Sequence, residues 1–162
     1  MTTIDRHGPE VIDELEPLWL AMVAHHGAVA RSMGPVRDDA DTWARRRAHY
    51  AEQLDRPGAF VLVARDDTRR AVGYALVAME GPSVTWPDPD GWAEIDSLSV
   101  LPEARGQGLG ERLVGRVQEE VGAATELRLY AMAENADALR FYEREGFTTA
   151  VVVLRRPAPG YR

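Results

Sequence analysis

Residues 92–121 read WAEIDSLSVLPEARGQGLGERLVGRVQEEV, and the fold of this chain turns on them. Glu94-Ile95-Asp96-Ser97-Leu98-Ser99-Val100 alternates with a period of two, the pattern of a strand. Pro102 ends it, because proline cannot donate to a sheet ladder. Arg105-Gly106-Gln107-Gly108-Leu109-Gly110 follows, with glycine at alternate positions. Leu109, Leu113, Val117 and Val121 then recur at helical spacing, and Gly122 stands where a helix C-terminus favours glycine. A strand, a glycine-rich turn and an amphipathic helix aim a helix N-terminus and bare backbone N–H groups at one spot. Such a spot suits anions, phosphates above all.

Spacing narrows the kind of phosphate site. A Walker loop needs Gly-Lys-Ser/Thr after its first glycine and four intervening residues, and no lysine follows these glycines. A dinucleotide fingerprint needs a third glycine one position later, where Glu111 stands. What fits is Arg/Gln-x-x-Gly-x-Gly/Ala, here Arg105, Gly108 and Gly110. The longer string from Leu98 through Val100, Pro102 and Arg105 to Gly110 resembles the central motif of the GCN5-related N-acetyltransferase (GNAT) family. A glycine turn that binds nothing is the alternative, but each glycine loses extra backbone entropy on folding.

A second motif lies downstream: Asn135-x-x-Ala138-x-x-Phe141-Tyr142, then Gly146-Phe147, which resembles the second GNAT motif. The resemblance covers about residues 92–147 and implies a site for acetyl-CoA as co-substrate. On it, Arg105 and the backbone N–H groups of Gly106, Gln107, Gly108, Leu109 and Gly110 take the pyrophosphate. Leu98 and Val100 pair their main chain with the pantetheine arm like an added strand. Asn135 contacts that arm, and Tyr142 stands near the thioester sulfur and protonates the departing thiolate. The chemistry suits a phenol, which donates to a sulfur leaving as an anion. Alternatively, Asn135 is only an N-cap and Tyr142 a core aromatic beside Leu139.

Outward from these motifs, a short strand is expected at 2–7, then a turn and a helix starting near Pro17. His25 and His26 read as surface or cleft-edge residues, and 27–40 as a loop. A helix at 41–54 is expected, with Asp41 as N-cap and Arg45-Arg46-Arg47 on a solvated face. Strands at 60–64 and 72–78 join through a hairpin at 66–70, and a loop at 86–91 leads to the central strand. A strand at 126–130, a helix from Asn135 to Gly146, a last strand at 151–154 and a tail at 157–160 complete the order. The order gives an α/β domain with a mixed sheet. The resemblance implies a mostly antiparallel sheet flanked by about four helices and splayed at its central parallel strand pair.

The length of 162 residues suits one domain spanning 1–162, with a CoA-binding core at 92–147 and a variable acceptor side at 1–58. No run approaches the 18 apolar residues of a membrane span, and the N-terminus lacks a signal-peptide core, so a cytoplasmic location and no membrane partner are expected. Cysteine is absent, which removes disulfides, thiolate metal sites and a cysteine nucleophile; no metal site is read. A formal net charge of −7 argues against nucleic acid and mildly favours amine-bearing or cationic acceptors through steering.

Amine acylation needs a neutral nucleophile, and a lysine-like amine has a reference pKa of about 10.4. Glu94 and Asp96 sit at i and i+2 on the central strand, hence on one face with Leu98 and Val100. Either is a candidate general base, Glu94 first; they also suit recognition of a cationic acceptor or a solvated strand end. The resemblance implies direct N-acetyl transfer to an amine in a ternary complex, and leaves a homodimer open. The rival is a non-catalytic acyl-CoA-binding module that regulates a partner. Trp19, His26, Trp43 and Trp86 are candidates to line the acceptor pocket, and the acceptor itself stays open.

Overall fold

The computed structural model of the chain describes residues 1–86 and 91–157, so most of the expected loop at 86–91 and the end of the tail at 157–160 lie outside the described residues. The chain opens with β1 (Thr3–His7), and a 3-10 turn, Pro9–Leu15, then buries Val11, Ile12 and Leu15. The first helix, α1 (Glu16–Val29), carries Pro17 in its first turn, where the missing N–H costs nothing. It continues through Gly27, so the expected loop shortens and holds a second 3-10 turn, Arg31–Met33. α2 (Asp39–Leu54) starts earlier than expected. Its N-cap is Asp38, whose carboxylate accepts from Asp41 N–H at 3.0 Å, while Asp41 itself pairs with Arg37 and Arg45. Only the residue before the helix has the extended backbone a cap requires.

Strands β2 (Phe60–Arg65) and β3 (Ala71–Glu80) are almost continuously buried, as strands covered on both faces must be. Asp66 closes their hairpin by accepting from the N–H groups of Thr68 and Arg70. β4 (Trp92–Val100), α3 (Leu109–Val121), β5 (Glu126–Leu129) and α4 (Ala136–Arg144) follow. The sheet order is β1-β2-β3-β4-β5, antiparallel except for the parallel pair β4 and β5. That pairing runs from Trp92↔Glu126 to Ile95↔Leu129 and stops, leaving one edge of residues 96–100 without a strand partner among the described residues. The expected splay is formed there.

The register of β4 against β3 also shifts at this point, since Val77 faces Ile95 but the adjacent Leu76 faces Ser97. Asp96 is the extra residue of a β-bulge. Past it, Ser99 Oγ donates to Leu18 C=O of α1, while Val100 shares the opposite face with Leu113 of α3. Leu113 is fully buried, and truncating it to alanine costs about 2–5 kcal/mol.

The expected strand at 151–154 is not formed. Val151, Val152, Val153 and Leu154 are 71–90% exposed. A strand needs a ladder partner, and this segment has none in the sheet. Its end is tied instead through Arg155, which donates to Ser32 C=O in the connection between α1 and α2.

Three buried hydroxyls fasten α2 to the sheet beside the bulge. Tyr50 O–H donates to Ser97 Oγ at 2.7 Å, and the Tyr50 and Tyr74 oxygens lie 2.6 Å apart. Tyr50→Phe keeps the ring but leaves two buried polar groups short of a partner, a cost of roughly 1–3 kcal/mol. The urea midpoint is expected to fall with an unchanged m-value, and an unshifted midpoint would show that the hydroxyl chain carries no stability.

Candidate active site

A cleft of about 840 Å³ opens where β4 and β5 part, between the first turn of α3, the helix α4 and the inner sides of α1 and α2. Ten of the residues expected to hold the co-substrate or carry the chemistry line it together: Asp96, Leu98, Val100, Arg105, Gly106, Gly108, Leu109, Gly110, Asn135 and Tyr142. Glu94 and Gln107 are not among its lining residues.

None of the backbone N–H groups from Gly106 to Glu111 has an acceptor among the described residues, and no side chain caps α3. Hydrogen-bond donors and the positive end of a helix dipole therefore face the cleft together. The glycines do different work. Gly106 and Gly108 have φ of +74° and +70°, left-handed backbone that favours glycine, and a Cβ on Gly108 would meet nothing closer than Glu111 at 3.9 Å. Gly110 is helical, and a Cβ there would come within 3.2 Å of the Phe141 ring. Its smallness serves the contact between α3 and α4. Arg105 donates from Nε to Val100 C=O at 2.9 Å, so this cation is tied to the strand end and one of the expected pantetheine-facing carbonyls is already engaged.

Asn135 is buried and caps α4, its Oδ1 accepting from Ala138 N–H at 3.3 Å. Its amide nitrogen is neither bonded nor a buried orphan among the described residues, so it is open to the cleft. Tyr142 packs against Phe141 and Phe147, with ring centroids 5.1 and 5.6 Å away. Burial pushes its phenol up to about 12, and its hydroxyl has no hydrogen-bond partner among the described residues. It is a neutral donor facing open space.

The two carboxylates of β4 do not share a face with Leu98 and Val100. The bulge at Asp96 breaks the alternation, and Asp96 turns to α2. There Arg46 Nη1 meets Oδ2 at 3.0 Å, His49 Nε2 meets Oδ1 at 2.6 Å, and Ser97 Oγ donates to Oδ2 at 2.9 Å. Glu94 makes no hydrogen bond among the described residues; burial, then the nearby Glu80 and Asp96 charges, raise its pKa. Arg46 was expected on a solvated face, but it turns inward, its guanidinium 3.9 Å from the Trp19 ring centroid. A run of three arginines must point in different directions around a helix, and helical phase alone did not say which one meets the bulge.

Trp19, Met22, His25 and His26 bring α1 to the same cleft, whereas Trp43 is core and Trp86 is 70% exposed. Burial, then the His25 and Arg46 charges, hold the His26 imidazole below its ordinary value and favour the neutral ring. Arg144 lines the α4 wall, whereas Arg112 and Arg140 bond to Thr2 C=O and Asp137. Among the described residues no cluster of three or more His, Asp or Glu side chains could hold a metal ion, and no helix is long and apolar enough to cross a membrane.

The chain is similar to a mycothiol acetyltransferase of Streptomyces griseus, 34% identical over an alignment of 153 positions that covers 86% of this chain and 50% of that one. It thus spans about half the length of the curated relatives it matches. In fold it is similar to a putative acetyl transferase from Pyrococcus furiosus, with a TM-score of 0.72 at 20% identity over 98% of this chain and 100% of that one. An aminoglycoside N-acetyltransferase AAC(6')-Iy solved in complex with CoA superposes with a TM-score of 0.69 at 18% identity, covering 98% and 95% of the two chains. The model of the acetyltransferase (GNAT) family matches residues 26–147, which takes in α2, the whole sheet after β1, the α3 turn and α4. The chain belongs to the acetyltransferase (GNAT) family.

Proposed function

We propose that this protein moves an acetyl group from acetyl-CoA to a primary amine by direct transfer within a ternary complex. The observation that carries the reading is the convergence, in one cleft, of the unbonded N–H row at Gly106–Glu111, the free edge of β4 past Ile95, and the unpartnered Tyr142 hydroxyl. The residues suit the co-substrate: a row of donors for a pyrophosphate, an open strand edge for an amide-bearing arm, and an acid for a leaving sulfur. The non-catalytic rival has no use for a phenol held neutral at that place. Residues 92–147 form the co-substrate side in this reading, and 1–58 contribute the acceptor side through α1 and α2.

The thioester supplies an activated acyl carbon; what the protein adds is position and proton handling. The amine nitrogen bonds to that carbon as the C–S bond breaks, and the Tyr142 proton goes to the sulfur. Glu94 is the base of this proposal, because Asp96 has both oxygens engaged by Arg46, His49 and Ser97. Glu94 does not line the cleft, so its route to the amine runs through water. The absence of cysteine agrees with a mechanism that forms no acyl-enzyme.

Gly108→Ala tests the co-substrate site. Left-handed alanine costs about 1–2 kcal/mol of stability, and the new methyl stands among the donors. CoA affinity by calorimetry is expected to drop about tenfold or more in a protein that still melts cooperatively. Unchanged affinity would overturn the assignment of this turn.

Tyr142→Phe deletes only the donor. Thermal stability and acetyl-CoA affinity are expected to hold while turnover falls by about ten- to several-hundredfold. Wild-type turnover with a true acceptor would remove Tyr142 as the acid.

The pH profile carries both groups. A base acts ionised, so activity through Glu94 rises with pH across a pKa above the ordinary glutamate value. An acid acts protonated, so loss through Tyr142 is deferred to about pH 12. Glu94→Gln is expected to abolish the acid limb, lower turnover at neutral pH and recover part of it at high pH, where the acceptor ammonium loses its proton unaided. An equal loss at every pH would place Glu94 in binding or structure instead.

A further inference from the structure

We propose that the acceptor is an amine that also carries a carboxylate, as an α-amino acid does, and that Arg46 is the residue that recognises it. This rests on the acyl-transfer reading above and adds the class of acceptor. The three neighbouring arginines of α2 differ in what they do. Arg45 Nε is spent on Asp41, and Arg47 grips Asp13 through both Nε and Nη2 at the surface. Arg46 alone of the three lines the cleft, and only its Nη1 is hydrogen-bonded, to Asp96 at 3.0 Å. Its Nε and Nη2 have no acceptor among the described residues.

Those two N–H groups form the side-on fork that matches a planar carboxylate with two parallel hydrogen bonds. The fork is also held still. One face of the guanidinium lies against Trp19, 3.9 Å from the ring centroid, with Tyr50 at 5.3 Å, and the tether to Asp96 fixes its rotation. Stacking uses the flat face and leaves the edge free, so little rotamer entropy remains to be lost when an anion arrives.

The rest of the acceptor end agrees. Asp96, the carboxylate beside Arg46 in the cleft, already receives Arg46, His49 and Ser97, so it offers an incoming ammonium group little. His25 and His26 from α1 and Met22 complete the wall, and the His26 ring tends to neutral. Arg46 is paired with Asp96, yet its Nε and Nη2 donors stay unengaged among the described residues, and donors of that kind suit an anion. A polycation such as a polyamine meets Arg46 as a like charge.

The test follows thiol release from acetyl-CoA with α-amino acids, the matching α-amino-acid amides and spermidine as acceptors. The amide's amine is the less basic of each pair, so a preference for the acid runs against intrinsic reactivity. The wild-type kcat/KM is expected to favour acids over amides by about tenfold or more, with spermidine lowest. Arg46→Gln is expected to erase the preference by raising KM for the acids about ten- to a hundredfold, while KM for the amides stays within about threefold. Arg46→Lys, which keeps the charge without the fork, is expected to restore only part of it. Amides equal to acids, spermidine as the best acceptor, or no acid acylated at all overturns the inference. The wild-type comparison stands even if a variant fails to fold. Calorimetry separates the two readings: an enzyme that does not bind acetyl-CoA loses the acyl-transfer reading, whereas one that binds it and prefers amides loses only the carboxylate.

Discussion

The structure depends on what β4 does between Ile95 and Ser97. Up to Ile95 it is an interior strand, paired on both sides by β3 and β5. At Asp96 one extra residue enters the ladder with β3, and past Ile95 the pairing with β5 ends. A bulge bends a strand and increases its twist, so the two events belong together: a strand turned at Asp96 cannot stay in register with a short parallel neighbour. The cleft is the gap that results. Its floor is a strand edge with unused backbone groups, which in a closed sheet would have been consumed by the ladder.

The same extra residue sets the electrostatics. Without it, strict alternation would have put Asp96 on the face of Leu98 and Val100, toward α3. With it, Asp96 and Ser97 both meet α2, where Arg46, His49 and Tyr50 wait, Tyr50 joined in turn to Tyr74 of β3. A half-buried carboxylate is costly unless paired and hydrogen-bonded, and here it is both. Arg46 is fixed in turn, between Asp96 and Trp19. One backbone irregularity thereby orders a helix face, a carboxylate and a guanidinium.

On the opposite wall, α4 is built differently from the other helices. It has no fully buried residue, and Phe141 and Tyr142 face the cleft rather than a core. Its position rests on the Asn135 cap, the Phe147 contact with Tyr142, and the close fit of Phe141 over Gly110. Those contacts explain why a small residue stands at 110 although its backbone is ordinary helix, and why the phenol of Tyr142 sits in an apolar surround that keeps it protonated.

Local rules were enough for much of this protein. The period of two in β4, Pro102, the glycines, the helical period of α3 and the Asn135 cap are each written in a few adjacent residues, and the strand, turn and helix follow from sterics and hydrogen bonding at that range. The approximate set of cleft residues from Leu98 to Gly110, with Asn135 and Tyr142, was legible for that reason. Tertiary structure decided what depends on partners distant in the chain. Register slips by a whole residue at Asp96 because β3, α2 and β5 together favour it, and no local pattern records that. Which of three consecutive arginines faces inward, and whether a run of valines at 151–153 becomes a strand, depend likewise on whether a partner is there to receive them. Periodicity assigns a face; only packing says what stands opposite.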